Sequence, residues 1–415
     1  MYVDNEIGEL QKVIVHFPDE GISRISPKRA ESLLFDDIVF YPLMGQEYKA
    51  FLEVLKLFVG ADNVLETEDL ITEAIDACDA VKEELIDRVI AFEELPPSFE
   101  NYLEGLTDRE LAQVLITGYL HDEERILFDP IPNYMFTRDI AVTIKDHILI
   151  TKAAKEARYR ENLLSRFIFK YHPLFEGAKA DGRIIDMNDL ELFPPSLKAE
   201  QVSAEGGDIM MFEPEHLLIG CSERTTPYAL HCLKDYLFEK KLVEHVVQVN
   251  IPNERSFMHI DTLFTRVDKD LVACHKPIVY DGEGSNVIVH HRDGSNDVYP
   301  SIKEYISAEI HPDMRYIFSG GGESPYQERE QWTDAVNLVC LRPGVAISYD
   351  RNLKTLAAFE EAGYKIMDSD SLIKHSLVDR TFVNNLNRTI ITIPSAELSR
   401  ARGGSHCMTC PIIRS

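Results

Sequence analysis

Hydrophobic residues between positions 66 and 125 recur at the spacing of an α-helix. Leu70, Ile71 and Ile75 lie among acidic residues at intervals of three or four, and the spacing continues further along the segment. The tetrapeptide TDRE at 107–110 has the form of an N-terminal capping box. No convincing strand pattern interrupts this stretch. The segment therefore predicts a group of short helices.

Outside this segment, runs of β-type residues return in pairs. Each pair starts at a polar residue, called its head here, and consists of a β-type run, a turn and a second β-type run. Stretches with helical character lie between the pairs, at 154–170, 225–240 and 325–336, and further strand patterns occupy 10–17 and 389–394. The heads are Asp139, Asp208, Asp261 and Asn337.

This alternation predicts an α/β protein built from a repeated hairpin-and-helix unit around a common centre. Residues 1–65 and 126–415 are expected to form the repeated part, with residues 66–125 as an inserted helical bundle. Each unit then places its polar head at the same end of the assembly, where a shared site can form. The alternative is an irregular α/β protein whose hairpins resemble one another by coincidence.

Composition narrows the classes of protein without naming a function. The 415 residues include 70 Asp and Glu against 43 Lys and Arg, a net charge of −27 that disfavours binding to nucleic acid. No apolar run approaches the roughly 20 residues of a membrane helix, and the N-terminus does not resemble a signal peptide. Seven scattered cysteines form no disulfide framework. We expect a reduced, cytoplasmic protein with no membrane partner.

The C-terminal sequence RGGSHCMTCP at 402–411 carries the first candidate for chemistry. Two glycines free the backbone just before Cys407, which places a thiol where it can react. The spacing of Cys407 and Cys410 also suits a redox pair or half of a zinc site, but no second C-x-x-C is present. An inert cysteine beside a glycine turn is the simplest alternative.

Groups that could assist such a thiol in catalysis lie at or near the heads of the hairpins. His259 and Asp261 are two residues apart, which in a strand puts both on one face. Glu205 precedes two glycines at the second head, and Asp139 is the first head. Each alone has a simpler structural explanation, such as a core histidine, a tight acidic turn or a capped strand.

Together these groups indicate a substrate that is cationic, donates hydrogen bonds and is electrophilic at carbon. A guanidinium fits, because carboxylates bind its planar N–H groups in pairs and a thiolate can attack its central carbon. Arg224 follows the second hairpin near a predicted helix start and is placed to hold a substrate carboxylate, although surface ion pairing is the commoner fate of such a residue.

Four motifs, in their order and spacing, resemble the arginine deiminases, which are guanidino-modifying enzymes of the pentein superfamily. They are FTRD at 136–139, EGGD at 205–208, MHID at 258–261 and RGGSHCM at 402–408, and the resemblance extends along essentially the whole chain. It implies a five-bladed pseudo-symmetric α/β propeller with a helical bundle inserted after the first blade. That architecture agrees with the repeat and the insertion described above.

The resemblance also implies roles for individual residues. Cys407 matches the nucleophile, His259 the general acid and base, and Glu205 the carboxylate that orients the histidine. Asp139 and Asp261 match the pair that grips the guanidinium. The residues expected to bind the rest of the substrate are Asn133, Arg158 (with Arg160 as a neighbouring alternative) and Arg224 at its carboxylate, and Arg402 as a mobile arginine near the thiol. Asn337 matches no role and is expected to make a turn or strand-end hydrogen bond.

The expected activity is hydrolysis of L-arginine to L-citrulline and ammonia through a covalent cysteine thiouronium. Neither a metal nor an organic cofactor is expected, and a homodimer or tetramer is possible by analogy. The alternatives are an amidinotransferase, a hydrolase of agmatine or methylarginine, and a catalytically silent arginine-binding relative. A phosphate binder built on SGGGES at 319–324 lacks the P-loop lysine.

Overall fold

All four predicted hairpins are present in the computed structural model, which describes residues 1–35 and 37–415 apart from the side chain of Asp79. The hairpins are β5–β6, β8–β9, β11–β12 and β16–β17, and each follows its polar head. The strands are β1 (Leu10–Val15), β2 (Val64–Glu66), β3 (Tyr119–Leu120), β4 (Arg125–Ile126), β5 (Ala141–Ile144), β6 (His147–Ile150), β7 (Ile184–Asp186), β8 (Ile209–Glu213), β9 (His216–Cys221), β10 (His245–Asn250), β11 (Phe264–Asp268), β12 (Leu271–Cys274), β13 (Asn286–His291), β14 (Asn296–Tyr299), β15 (Arg315–Phe318), β16 (Val339–Arg342), β17 (Val345–Tyr349), β18 (Lys365–Asp368), β19 (Thr389–Ile393) and β20 (Cys410–Arg414).

Helices fill the connections between these strands. The predicted helical stretches after the hairpins contain α7, α9 and α12, so those predictions are confirmed in type. The helices are α1 (Pro27–Ala30), α2 (Tyr41–Val59), α3 (Thr67–Asp76), α4 (Asp79–Phe92), α5 (Glu100–Glu104), α6 (Asp108–Thr117), α7 (Tyr159–Tyr171), α8 (Glu176–Ala180), α9 (Pro227–Glu239), α10 (Lys276–Val279), α11 (Ile302–Tyr305), α12 (Tyr326–Trp332), α13 (Leu353–Glu361) and α14 (Ser369–Val378).

The repeated unit is a hairpin whose second strand pairs in parallel with a strand reached through a helical connection. This pattern recurs as β6 with β7, β9 with β10, β12 with β15, and β17 with β19. Among the described residues, the sheets of three or more strands have the orders β2-β1-β20, β5-β6-β7, β14-β13-β10-β9-β8, β11-β12-β15 and β16-β17-β19-β18. The mixed α/β class and the repeat are therefore confirmed.

Successive sheets contact one another through the first strand of each hairpin and through β1 and β20 of the remaining sheet. Strand β20 contacts β5, β5 contacts β8, β11 contacts β16, and β16 contacts β1. Between the sheets of β8 and β11, the Arg266 guanidinium donates a hydrogen bond to the Phe212 carbonyl over 2.8 Å. The contacts run from each sheet to the next and return to the first, while no described sheet closes on itself. The five-bladed propeller stays a prediction.

Residues 66–125 contain α3 to α6, and the predicted capping box is confirmed. The Thr107 hydroxyl accepts a hydrogen bond from the Glu110 amide, and the Glu110 carboxylate accepts one from the Thr107 amide. The expectation of no strand here was wrong, because β3 pairs with β4 at the end of this stretch. Two-residue strands are too short to leave a periodic pattern.

The helices of residues 66–125 share their apolar core with the sheet of β5 and β6. Leu70 and Leu111 belong to the same cluster of buried side chains as Ile140 and Ile148. A separate domain at these boundaries stays a prediction. Over the described residues, no helix has both the length and the apolar character needed to cross a bilayer.

The polar heads meet at the centre of the fold in a closed set of hydrogen bonds, called the head ring here. Its members are Asp139, Asp208, Asp261, Asn337 and Cys407. Asp139 Oδ1 accepts from the Gly207 amide (3.0 Å), Asp208 Oδ1 from the Ile260 amide (3.0 Å), the Asp261 carbonyl from Asn337 Nδ2 (3.0 Å), Asn337 Oδ1 from the Cys407 amide (3.1 Å), and the Cys407 carbonyl from the Arg138 amide (3.0 Å).

The head ring depends on close backbone packing at Gly206. A Cβ atom on this residue would collide with the carbonyl oxygen of Arg138, whereas a Cβ atom on Gly177 in α8 would meet nothing within 4 Å. We predict that Gly206→Ala lowers the free energy of unfolding by about 1–3 kcal/mol, because backbone has to shift. Gly177→Ala is the matched control and should leave stability unchanged or slightly raised. Denaturant unfolding of both variants checks this, and equal stability would contradict it.

Candidate active site

Eight of the nine predicted site residues line one cavity of about 30 Å³. The ninth, Asp261, lies beside the cavity and contacts Cys407. Apolar and small residues to which the sequence assigned no role complete the wall, although Phe136 and Met258 lie within the FTRD and MHID motifs. The predicted residues in the lining are Asn133, Asp139, Arg158, Glu205, Arg224, His259, Arg402 and Cys407, and the others are Leu34, Phe136, Met258, Thr262 and Ala401.

Cys407 stands between the glycine-containing turn and β20, with its side chain buried. Its Sγ is 3.4 Å from Asp261 Oδ2, and its amide donates to Asn337 Oδ1. Burial, reinforced by the charges of Asp261 and Asp139, holds the pKa of the thiol well above its ordinary value. In the unliganded site, Cys407 is therefore a protonated thiol that donates to Asp261.

His259 is a buried imidazolium. Its Nε2 lies 3.0 Å from Glu205 Oε2, and its Nδ1 lies 3.8 Å from Asp139 Oδ1. Burial alone would lower the pKa of His259, but the two carboxylates outweigh it and raise the pKa to about 10. Burial likewise opposes ionisation of Glu205, yet the hydrogen bond from His259 and the charge of Arg158 keep its pKa well below the ordinary value.

The two carboxylates predicted to grip a guanidinium differ in what they already bind. Asp139 Oδ2 is 2.5 Å from Arg158 Nη1, and its other oxygen accepts from the Gly207 amide. Asp261 Oδ2 lies 2.9 Å from His406 Nδ1, while its buried Oδ1 has no hydrogen-bond partner. Burial alone would raise the pKa of Asp261, but the contact with His406 acts in the opposite direction. The pKa lies below its ordinary value as a result, so this carboxylate stays charged.

Arg158 lines the cavity as predicted, but its guanidinium binds protein carboxylates. It lies 2.8 Å from Glu161 and 2.5 Å from Asp139, with Glu205 at 3.6 Å. It therefore pairs with Asp139, one of the two carboxylates predicted to grip a guanidinium, and its expected role at a substrate carboxylate stays a prediction. Its neighbour Arg160 does not line the cavity and belongs to another network, donating to the Leu115 carbonyl over 3.0 Å.

The remaining predicted binding residues have distinct surroundings. Arg224 Nη1 lies 3.8 Å from Glu205 Oε1, and its buried Nε makes no hydrogen bond. Asn133 donates its side-chain amide to the Leu33 carbonyl over 2.7 Å. Arg402 has a left-handed backbone (φ 65°), and its guanidinium stacks 3.3 Å from the centre of the Trp332 ring.

Sequence reasoning underrated two residues at the centre of the site. Asn337, expected to make a simple turn bond, donates to the Asp261 carbonyl and accepts from the Cys407 amide. His406 bridges Asp261 (2.9 Å) and Glu6 (3.1 Å). The position of Asn337 at the fourth hairpin head was the available signal, because two of the other heads, Asp139 and Asp261, are predicted site residues. His406 lies in the RGGSHCM motif beside Cys407, but the sequence assigned it no role.

Asp139, Glu205 and His259 also form a possible metal-binding group. Their ligand atoms lie within 4.8 Å of one another, the only such group of three that the described residues contain. The Arg158 guanidinium contacts both carboxylates, and an imidazolium does not coordinate metals because its ring nitrogens are protonated. These three residues, in this protonation state, suit an organic cation better than a metal ion.

The family model for arginine deiminase matches residues 31–124 and 104–414. The chain belongs to the arginine deiminase family. It is thereby one of the guanidino-modifying enzymes of the pentein superfamily. Two solved structures show a similar fold at low identity. One is SxtG, an amidinotransferase from Microseira wollei in the saxitoxin biosynthetic pathway, with 12% identity, a TM-score of 0.52, and coverage of 100% of this chain and 97% of that one.

The second is DDAH from Pseudomonas aeruginosa, in a cysteine-to-serine mutant complexed with citrulline. It shares 13% identity with a TM-score of 0.50 and covers 97% of this chain and 99% of that one. At such identities, both likenesses support the fold of this arginine deiminase family member and carry no statement about its substrate.

The raised pKa of Cys407 predicts how this thiol reacts in the unliganded protein. Alkylation by iodoacetamide should be slow at neutral pH and should accelerate as the pH rises into the alkaline range, because the thiolate is the reactive form. Asp261→Asn removes a negative charge 3.4 Å from Sγ and should move the alkylation profile towards neutral pH.

Peptide mass spectrometry at a series of pH values measures this profile at Cys407. Labelling of the exposed Cys78 in the same samples is the internal control and should be identical in both proteins. An unchanged Cys407 profile in Asp261→Asn would show that this carboxylate does not control the thiol.

Proposed function

We propose that this chain is an arginine deiminase that hydrolyses L-arginine to L-citrulline and ammonia through a covalent thiouronium on Cys407. The observation that carries the proposal is the meeting of a thiol, a histidine–glutamate ion pair and two aspartates around one buried cavity. No cofactor is required for this reaction, and L-arginine is the small-molecule partner. A cytoplasmic location and a homodimer or tetramer stay predictions.

The charges around the cavity support a guanidinium substrate. Asp139, Asp261 and Glu205 are all buried, so their negative charges are poorly screened and favour a cation. The open Oδ1 of Asp261 can accept a guanidinium N–H. At the other end of the substrate, Arg224 has an unused N–H donor for the α-carboxylate, which argues against agmatine.

In the first half of the reaction, the bound guanidinium cation lowers the pKa of Cys407, and the thiol loses its proton to solvent. The thiolate forms an Sγ–Cζ bond, and a C=N electron pair moves onto nitrogen. The imidazolium of His259 protonates the departing amino group as the C–N bond breaks. Ammonia leaves, and Cys407 carries an S-alkylthiouronium.

In the second half, His259 is neutral and acts as a base. It takes a proton from water as the water oxygen bonds to the thiouronium carbon. The Sγ–C bond then breaks and returns the electron pair to sulfur, the hydroxyl proton passes to that sulfur to restore the thiol, and citrulline is released. Glu205 stabilises the imidazolium that exists before the first proton transfer and again after the second, because it lies 3.0 Å from the ring.

The cavity must enlarge before this reaction can start. The free space in it, about 30 Å³, is small for an arginine molecule. Arg158 contacts Asp139 and Arg402 lines the same cavity, so movement of these side chains is the simplest way to admit a substrate. The expected role of Arg402 as a mobile arginine agrees with this requirement.

An amidinotransferase is the principal alternative, since it would use the same thiouronium and pass the amidino group to an amine. A catalytically silent relative is the other, but the complete set of thiol, histidine and carboxylates argues against it.

We propose as well that the five sheets are the five blades of the family propeller. The head ring and the contacts from each sheet to the next support that arrangement.

Replacing the nucleophile tests the proposal most directly. Cys407→Ser should lower citrulline and ammonia formation from arginine more than about 1000-fold, because a serine hydroxyl is a far weaker nucleophile here. Cys78→Ser, at an exposed cysteine, is the matched control and should keep full activity. The same assay with added glycine separates the alternatives, since guanidinoacetate in place of citrulline would identify a transferase.

The role of Arg224 predicts a change in substrate preference. Arg224→Met should raise KM for arginine about 10–100-fold, the equivalent of about 1.5–3 kcal/mol for a charged hydrogen bond. Turnover of agmatine, which has no carboxylate, should change little. Arg166→Met, which removes a surface ion pair with Asp186, is the control. Equal losses with arginine and agmatine would contradict a carboxylate-binding role and would indicate a structural one.

A further inference from the structure

Three histidines lie side by side on one face of the five-stranded sheet, outside the candidate active site. His216 on β9, His245 on β10 and His291 on β13 occupy the same register of neighbouring strands. Their ring centres are 4.4 Å apart between the first pair and 4.9 Å apart between the second. All three side chains are partly exposed, so ions in solution can reach them.

The middle ring, His245, contacts the outer ring of His291 through their nitrogen atoms. His245 Nδ1 and His291 Nδ1 are only 2.8 Å apart. On its other side, His291 Nε2 lies 2.8 Å from Asp297 Oδ2, which fixes the proton on Nε2 and leaves the Nδ1 lone pair facing His245. A carboxylate behind the ring is the usual arrangement for a histidine that binds a metal.

The third histidine contacts the ring of His245 and limits its rotation. The His216 ring lies against the His245 ring at a tilt of 40°, and its own Nδ1 lies 3.1 Å from the Tyr305 hydroxyl. The ring positions are therefore set by the sheet register and by fixed partners, which reduces the ordering that a bound ion would have to impose.

We propose that His245 and His291 bind a divalent transition metal ion of the kind that prefers imidazole, such as Zn²⁺, Ni²⁺ or Cu²⁺. Metal–nitrogen bonds of about 2.0–2.1 Å place two ligand nitrogens about 3 Å apart, close to the observed spacing. The ion replaces the shared N–H···N proton, which moves to the second nitrogen of His245, so both rings stay neutral. Water molecules complete the coordination.

The surroundings favour this ion. The 2.8 Å contact between the two Nδ1 atoms, with Asp297 on the far nitrogen of His291, fits a pair of neutral rings that share one proton between them. Neutral imidazole is the form that binds metals. Glu215, Glu244 and Glu309 add negative charge around the rings.

Metal binding to matched variants tests the proposal. In equilibrium dialysis of the full chain with Ni²⁺ at pH 7.5, His245→Gln and His291→Gln should each bind one ion fewer per chain than the unmodified protein. Asp297→Asn should weaken binding tenfold or more. His290→Gln is the control, because His290 is adjacent in sequence but bonds to Asn296 and Gln248 on the opposite face. The proposal fails if His291→Gln binds as the unmodified protein does, or if His290→Gln loses as much.

Two further measurements make the result independent of folding and of the proposed function. Ni²⁺ should raise the melting temperature of the unmodified protein but not of His291→Gln, since an ion bound only to the folded state stabilises it. Electron paramagnetic resonance of bound Cu²⁺ should show two equatorial nitrogens in the unmodified protein, and this signal should be absent from His245→Gln. Should His245→Gln not fold, the partly exposed His291 and Asp297 variants decide the matter. Citrulline formation should be unchanged in all of them.

Discussion

The head ring is the constraint on which the candidate site depends. Its five hydrogen bonds join turns that are distant in sequence, from Arg138 to Cys407, and every member of the ring is buried. A buried donor or acceptor that loses its partner costs about 1–3 kcal/mol, so each turn is held against its neighbours. The ring fixes Cys407, Asp139 and Asp261 as one rigid set. A shift at one head therefore displaces the thiol and both carboxylates relative to one another.

Inside the ring, the balance of buried charge decides the chemical state of each group. Arg138 lies 2.8 Å from Glu6, His406 joins Glu6 to Asp261, and His259 joins Glu205 to the region of Asp139. Arg138 and His259 thus compensate part of this negative charge, whereas Asp261 Oδ1, which lies beside Gly207, accepts no hydrogen bond from the described residues. The thiol itself is most affected by Asp261, Asp139 and Asp334, whose negative charges oppose its ionisation. Its conversion to thiolate has to await a cation in the cavity, which links reactivity to the presence of a positively charged ligand.

Much of this arrangement could be predicted from the sequence, because the repeat itself carries the information. Period-two runs marked the hairpins, and the polar residue before each run marked the group that reaches the centre. The two-residue strands β3 and β4 left no such pattern. The role of Asn337 was missed since an amide at a strand start has many local uses, and His406 gains its function only from two partners 145 and 400 residues away in sequence. The orientation of Arg158 depends on Glu161 and Asp139 together, which no local pattern encodes.

The contacts of Arg158 allow it to release Asp139, and this makes the small cavity compatible with turnover. Its Nε and Nη2 both lie 2.8 Å from Glu161 Oε2, whereas Asp139 is bound through Nη1. Releasing Asp139 therefore breaks one contact and leaves the two to Glu161 in place, so the guanidinium never becomes an unpaired buried charge. Burial raises the pKa of Glu161 to about 7, and Arg158 opposes this rise. Under the proposed function, an incoming guanidinium would replace one cation by another at Asp139, and the charge around the thiol would stay balanced during the exchange.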